Sequence, residues 1–278
     1  MFKERSLVIA TKHAKEKAIA PILEEELGVL CFVPENFDTD TLGTFTGEIN
    51  RKNDPITTAR NKCLLAMEHS NCDLAIASEG SFGSHPSIFF ATADDEILLF
   101  LDKKNDLEIV VRELSTETNF QASEIKTEKE LIDFAEQALF PSHGLILRQN
   151  KNDFSKIEKG IIDWTRLSDV FNEFVQISGT VYAETDMRAQ FNPLRMAVIQ
   201  QATKKLAAKI QAVCPNCKTP GFGITDAQTG LPCSLCDSPT RSTLKYIYTC
   251  QKCEFMREEL FPNGKTHEEP MYCDSCNP

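Results

Sequence analysis

Ser6-Leu7-Val8-Ile9-Ala10, then Thr11-Lys12-His13-Ala14-Lys15-Glu16-Lys17, a helical run closing near Leu27-Gly28, and at once Val29-Leu30-Cys31-Phe32-Val33 form the stretch that decides the fold. Two short apolar runs of strand length flank a segment of helical character. Such a β-α-β order with short connections predicts an α/β sheet rather than a helical bundle. Proline is costly beyond the first helical turn, so Pro21 moves the expected start of regular helix to Ala20 and leaves residues 12–18 as a loop or separate turn.

Downstream, Asp54-Pro55 signals a helix start, with Asp54 as N-cap and Pro55 at the first helical position. Along that helix Ala59, Cys63, Ala66 and Met67 recur as a buried stripe, while Thr58, Asn61 and Lys62 share another face. Asp73-Leu74-Ala75-Ile76-Ala77 reads as the next strand and ends in the turn Ser78-Glu79-Gly80-Ser81-Phe82-Gly83. Strands are expected over 88–91, 96–101 and 107–113, giving a mixed sheet, and helices over 128–139 and 154–176 with a strand over 144–147 between them. Asn192-Pro193 opens a last helix whose apolar residues Ile199, Ala202, Leu206, Ile210 and Val213 recur at three- and four-residue steps.

Four CxxC knuckles follow: Cys214-Pro215-Asn216-Cys217, Cys233-Ser234-Leu235-Cys236, Cys250-Gln251-Lys252-Cys253 and Cys273-Asp274-Ser275-Cys276. Paired cysteines at this spacing turn two sulfurs toward one point, and two knuckles complete the tetrahedron that zinc prefers. Eight thiolates with no open position predict two structural zinc ions. The segment 239–248 resembles the hairpin of a zinc ribbon, which favours a nested pairing of the second knuckle with the third and the first with the fourth over a sequential one. The organisation expected is a domain over 1–190, a connecting helix over 191–213 and a zinc module over 214–278. Cys31, Cys63 and Cys72 stand among apolar neighbours and read as small buried hydrophobes.

The chain of 278 residues has a net charge of −11, which disfavours a protein that coats nucleic acid, since polyanion binding rests on basic surface. From residue 214 onward eight acidic side chains outnumber six basic ones, so the module suits a protein partner or a second copy of the chain better than a duplex. No apolar stretch is long enough to span a bilayer, and Met1 to Arg5 lead straight into the first strand without the apolar core of a signal peptide, so a cytoplasmic protein is expected.

Thr11-Lys12 after the first strand, Asp54 leading to Ala59-Arg60-Asn61-Lys62, and Asp73-Leu74-Ala75-Ile76-Ala77-Ser78-Glu79-Gly80 resemble, in order and spacing, the inosine/xanthosine triphosphate pyrophosphatases over residues 6–113. The whole arrangement also resembles a bacterial family of unknown function with this domain ahead of cysteine knuckles. The resemblance implies an α/β fold with a mixed, pyrophosphatase-like sheet and a C-terminal double zinc-ribbon-like module. It further implies a hydrolase that binds a nucleotide and uses Mg²⁺ to cleave a non-standard or signalling nucleoside triphosphate between the α and β phosphates. In that role Glu79 would be the first carboxylate with Asp54 and Glu48 behind it. Lys12, Lys15, Arg60 and Lys62 would serve the phosphates, and Thr11 and Asn61 would position them. The Asp-Asp pair of the inosine branch is absent, leaving Ser78-Glu79, and Lys12 stands where the family has asparagine. These departures keep open an alternative, a module that senses a nucleotide without turnover and signals through its zinc-bearing part. His85, beside Pro86, reads as a turn residue, and Arg188 and Arg195 as partners of acidic surface.

Overall fold

The computed structural model describes residues 1–11, 13–35, 37 and 54–278. It divides into two compact units, Met1–Ala207 and Ala208–Pro278.

Unit 1 is mixed α/β. Its first sheet has the order β2-β1-β3-β4-β5, from β1 (Ser6–Ala10), β2 (Leu30–Phe32), β3 (Leu74–Ser84), β4 (Thr92–Asp102) and β5 (Leu107–Ser115). β1 pairs in parallel with β2 and β3, whereas β3, β4 and β5 form an antiparallel meander. Side chains alternate between the two faces of a strand, and here both faces are covered. Leu7, Ile9, Leu74, Ile76, Leu98 and Phe100 are buried on one side, while Val8, Ala10, Ala75, Ala77 and Leu99 on the other pack with Ala59, Cys63, Ala66 and Met67 of α2 (Pro55–Ser70). Burial on both faces is why these strands read as continuous apolar runs.

Helix α1 spans Glu16–Leu27 and carries Pro21 in its interior, correcting the expected start at Ala20. A missing backbone bond there costs about 3 kcal/mol or more. The burial of Ile19 and Leu23 offsets this, at roughly 1.5–3 kcal/mol each. Gly28, in the left-handed conformation at φ 67°, then turns the chain into β2. Asp54 caps α2 as expected, accepting hydrogen bonds from Ile56 N and Thr57 N at 3.0 Å.

The second sheet has the order β6-β9-β7-β8, all antiparallel, from β6 (Ala122–Ile125), β7 (Leu145–Asn150), β8 (Asp153–Ile161) and β9 (Val181–Thr185). Leu145, Leu147, Val181 and Ala183 on one face form a core with Leu131 and Phe134 of α3 (Glu128–Gln137) and Leu167, Val170, Phe171 and Phe174 of α4 (Trp164–Ser178). The helix expected over 154–176 is thus a strand followed by a helix. Pairing with β7 holds the first half extended, and Asp163 starts α4 by accepting from Arg166 N at 2.8 Å. The strand expected over 88–91 is instead part of the loop between β3 and β4, where His85 Nδ1 accepts from Ser87 N and Ile88 N at 3.1 and 3.0 Å.

Helix α5 (Pro193–Gln211) carries the division between the units. Unit 2 is a three-stranded antiparallel sheet, β10 (Ile224–Thr229), β11 (Thr243–Thr249) and β12 (Met256–Leu260), with the cysteine knuckles at its ends. Among the described residues no helix is long and apolar enough to cross a membrane.

Candidate functional site

The cysteines of unit 2 gather into two groups, Cys214, Cys217, Cys250 and Cys253, and Cys233, Cys236, Cys273 and Cys276, the sulfurs of each lying within 4.8 Å of one another. The pairing is therefore crossed, first knuckle with third and second with fourth, which corrects the nested expectation. An antiparallel meander reverses direction at each strand, so the approach to β10 and the exit of β11 share one end of the sheet. The exit of β10 and the exit of β12 share the other.

Each knuckle closes on itself in the same way: Lys218 N, Asp237 N, Glu254 N and Asn277 N donate to the carbonyls of Cys214, Cys233, Cys250 and Cys273 at 2.8–3.0 Å. Sulfur separations run from 3.3 Å for Cys236–Cys276 and 3.5 Å for Cys217–Cys250 to 3.8 Å for Cys233–Cys276, at or somewhat inside the about 3.8 Å edge of a tetrahedron with 2.3 Å metal–sulfur bonds. The Thr219 hydroxyl holds the Cys217 thiol down at about 6, and Ser238 does the same for Cys236. Hydrogen bonding to Cys236 pushes Cys276 up to about 12.

The turn expected over 78–83 is instead strand, because pairing with β4 carries β3 on to Ser84. In unit 1 a row of buried polar groups therefore runs from the end of β1 across the middle of β3 to the first half of β4. Thr11 and Lys15 are 6% and 8% exposed. Lys15 Nζ donates to Ser78 Oγ at 2.9 Å. Burial, followed by the charge of Arg195, lowers the Lys15 ammonium to about 8, against the opposing pull of Glu96 and Glu79. Register places Glu96 opposite Gly80 and Asp94 opposite Phe82, so both acids share the face of Ser78. Arg195 Nε donates to Glu96 Oε1 at 2.6 Å, both side chains being fully buried, and Arg195 Nη1 donates to the Met187 carbonyl. Asp94 is fully buried, and neither of its oxygens has a hydrogen-bond partner among the described residues. Burial, then the neighbouring Glu96, raises its carboxyl to about 8.

Glu79 points from the opposite face and pairs with Lys62 Nζ of α2 at 2.5 Å. Of the residues singled out from the sequence, Thr11, Lys15, Lys62 and Glu79 thus gather where β1 ends beside the middle of β3. Asp54 is engaged in capping α2, Arg60 forms a bidentate pair with Glu108 at 2.6 and 2.7 Å, and Asn61 is half-buried beside Lys62. Lys12 and Glu48 lie outside the described residues. Periodicity singles out neither Asp94, just ahead of the strand expected over 96–101, nor Glu96, its first residue; the acidic run Asp94-Asp95-Glu96 is the available signal. Arg195, assigned to the surface, is wholly interior.

Beside this row a cavity of about 350 Å³ opens between the end of β3 and the helix-free face of the second sheet, lined by Phe82, Phe120, Arg148, Tyr182, Glu184 and Arg188 among others. Arg148 pairs with Glu184 and lies over the rings of Phe154 and Tyr182, 4.6 and 5.1 Å from their centroids. Burial raises the Glu184 carboxyl above the usual carboxylate range, with Arg148 opposing it.

The family model described as Domain of unknown function (DUF6671) matches residues 62–278, and the chain belongs to that family. No curated protein matches the chain. Among solved structures the crystal structure of protein VC0702 from Vibrio cholerae aligns over 73% of this chain and 93% of that one, at 9% identity and a TM-score of 0.30. A likeness of that size carries no argument.

Proposed function

We propose that unit 1 of this family member is a nucleotide hydrolase that splits a nucleoside triphosphate into monophosphate and pyrophosphate with Mg²⁺, and that unit 2 holds two structural zinc ions. The observation that carries the reading is the gathering of Lys15, Lys62 and Arg195 with Glu79, Asp94 and Glu96 just beyond the C-terminal end of the parallel strand β1, the side on which open α/β sheets present ligand groups. Lys15 and Lys62 supply charge for phosphate oxygens, and Thr11 supplies a buried hydroxyl. In this reading Glu79 accepts a proton from an attacking water once Lys62 turns toward substrate.

Among the described residues only the cysteine groups bring three ligating side chains together. Mg²⁺ is commonly held by one or two carboxylates plus substrate phosphates, which a single acid such as Glu79 fits. Bound there, it would neutralise phosphate charge. The zinc assignment is supported by the sulfur spacing and the absence of an open position in either group. Exposed Leu235, Met271 and Tyr272 around the second cysteine group support a protein partner for unit 2.

One observation favours nucleotide sensing without turnover: Lys62 and Arg195 are already neutralised by Glu79 and Glu96. Pyrophosphate release from a panel of natural and deaminated nucleoside triphosphates with Mg²⁺ separates the two. Release from at least one nucleotide supports hydrolysis; binding without release from any supports sensing.

A further inference from the structure

The wall of the cavity on the second sheet carries Arg148, Tyr182, Glu184 and Thr185. Arg148 and Glu184, on β7 and β9, project from the face opposite the helix-packed core. The Arg148 guanidinium is fixed from several directions, donating to the Lys151 carbonyl at 2.9 Å, pairing with Glu184 and lying over Phe154 and Tyr182. Its Nε is buried with no hydrogen-bond partner among the described residues. The facing wall carries Phe82 and Phe120, with ring centroids 5.7 Å apart and 30° between planes. Arg188 at the rim is held by Asp186 and lies over Phe191.

Aromatic walls with a fixed guanidinium beside a carboxylate suit a planar heteroaromatic ring with a polar edge. The volume of about 350 Å³ lies at the small end of ligand sites, about 300–1,000 Å³, the size for a single nucleoside. The Lys15 and Lys62 ammonium groups suit the phosphates of a nucleotide, which leaves its base for the aromatic cavity beside them.

We infer that this cavity reads the base and selects guanine, with Arg148 donating to the 6-oxo oxygen and Glu184 accepting from the N1–H and the 2-amino group. The inference rests on the nucleotide reading proposed above. The edges of other purines fit less well. Hypoxanthine lacks the 2-amino donor, xanthine turns a carbonyl oxygen toward Glu184, and adenine turns a ring-nitrogen lone pair toward it. A hydrogen bond to a charged group in a site of this kind discriminates by about 10- to 100-fold.

The test is titration calorimetry of the full chain, in Mg²⁺ buffer, with the non-hydrolysable α,β-methylene triphosphates of guanosine, inosine, xanthosine and adenosine. The guanosine analogue is expected to bind at least about tenfold more tightly than the inosine analogue, and the margin to shrink to about threefold or less in Glu184→Gln. The amide oxygen keeps an acceptor for Arg148, and the wild-type panel is decisive even if that variant misfolds. Equal affinity for guanosine and inosine analogues, tightest binding of the adenosine analogue, or an undiminished margin in a folded Glu184→Gln overturns the base assignment alone. Binding of none of the analogues overturns it together with the nucleotide reading.

Discussion

Gly80 of β3 faces Glu96 of β4 so closely that a Cβ at position 80 would lie 2.2 Å from Glu96 Oε1 and 2.5 Å from Arg195 Nη2. The glycine is there for clearance, not backbone freedom: the Glu96–Arg195 pair occupies the space where a side chain would stand. Gly80→Ala is expected to destabilise unit 1 by about 1–3 kcal/mol, the usual cost of overpacking. Gly83→Ala, on the same strand with nothing within 4 Å of its Cβ position, should change stability by no more than about 0.5 kcal/mol. Urea denaturation followed by the single tryptophan, Trp164 in unit 1, measures both. Equal effects would contradict the packing argument.

Arg195→Met leaves the Glu96 carboxyl without its cationic partner in a fully buried place. Breaking one side of a buried pair costs about 3–5 kcal/mol. Glu96→Gln retains an acceptor for Arg195 and should cost distinctly less. The order of the two unfolding midpoints is the readout, and a reversed order counts against the pair as a neutralising contact.

Asp94 keeps its proton in the folded protein up to about pH 8, against 3.8 for an ordinary aspartate. Between those values the folded state binds the extra proton, so this group's contribution to stability declines as pH rises through the window. The slope is at most about 1.4 kcal/mol per pH unit, and it levels off above pH 8. Asp94→Asn removes the slope. Wild type minus variant, measured at pH 5 and pH 8, should show wild type relatively more stable at the lower pH; a flat difference would contradict a buried, protonated Asp94.

Purified protein is expected to carry about two zinc ions per chain by elemental analysis, and Cys233→Ser about one, because each group closes independently. Chelation should unfold unit 2, whose apolar core is little more than Cys214, Phe222 and Cys250 with Tyr248, Cys253 and Phe255 around them. Limited proteolysis should then cut beyond residue 207 and spare unit 1. Full protection of the chelated protein would refute metal-dependent folding.

If Glu79 handles the attacking water, Glu79→Gln should lower pyrophosphate release by on the order of a hundredfold, roughly 3 kcal/mol of barrier. Nucleotide affinity should change much less, since Lys15 remains. Normal turnover in this variant would place the chemistry elsewhere.

The sequence by itself determined whatever depends on neighbours within a few residues. Asp54-Pro55 caps α2 because the capping bonds reach only to Ile56 and Thr57. The knuckles are legible for the same reason, each bond running from Lys218, Asp237, Glu254 or Asn277 back to its own first cysteine. The β-α-β opening and the stripe on α2 are legible because periodicity records which face is buried. Residues 153–161 were misread because their extended form is set by pairing with β7, and Pro21 because distant packing outweighs one missing local bond. Only the tertiary structure decided which knuckles share a metal site, since that depends on strand direction at the two ends of a sheet. It alone also brought Arg195 to Glu96 across 99 positions and Glu184 to Arg148 across 36. Charges on such distant elements leave no periodic trace in the chain, because a contact between them exists only once the sheets that carry them have formed.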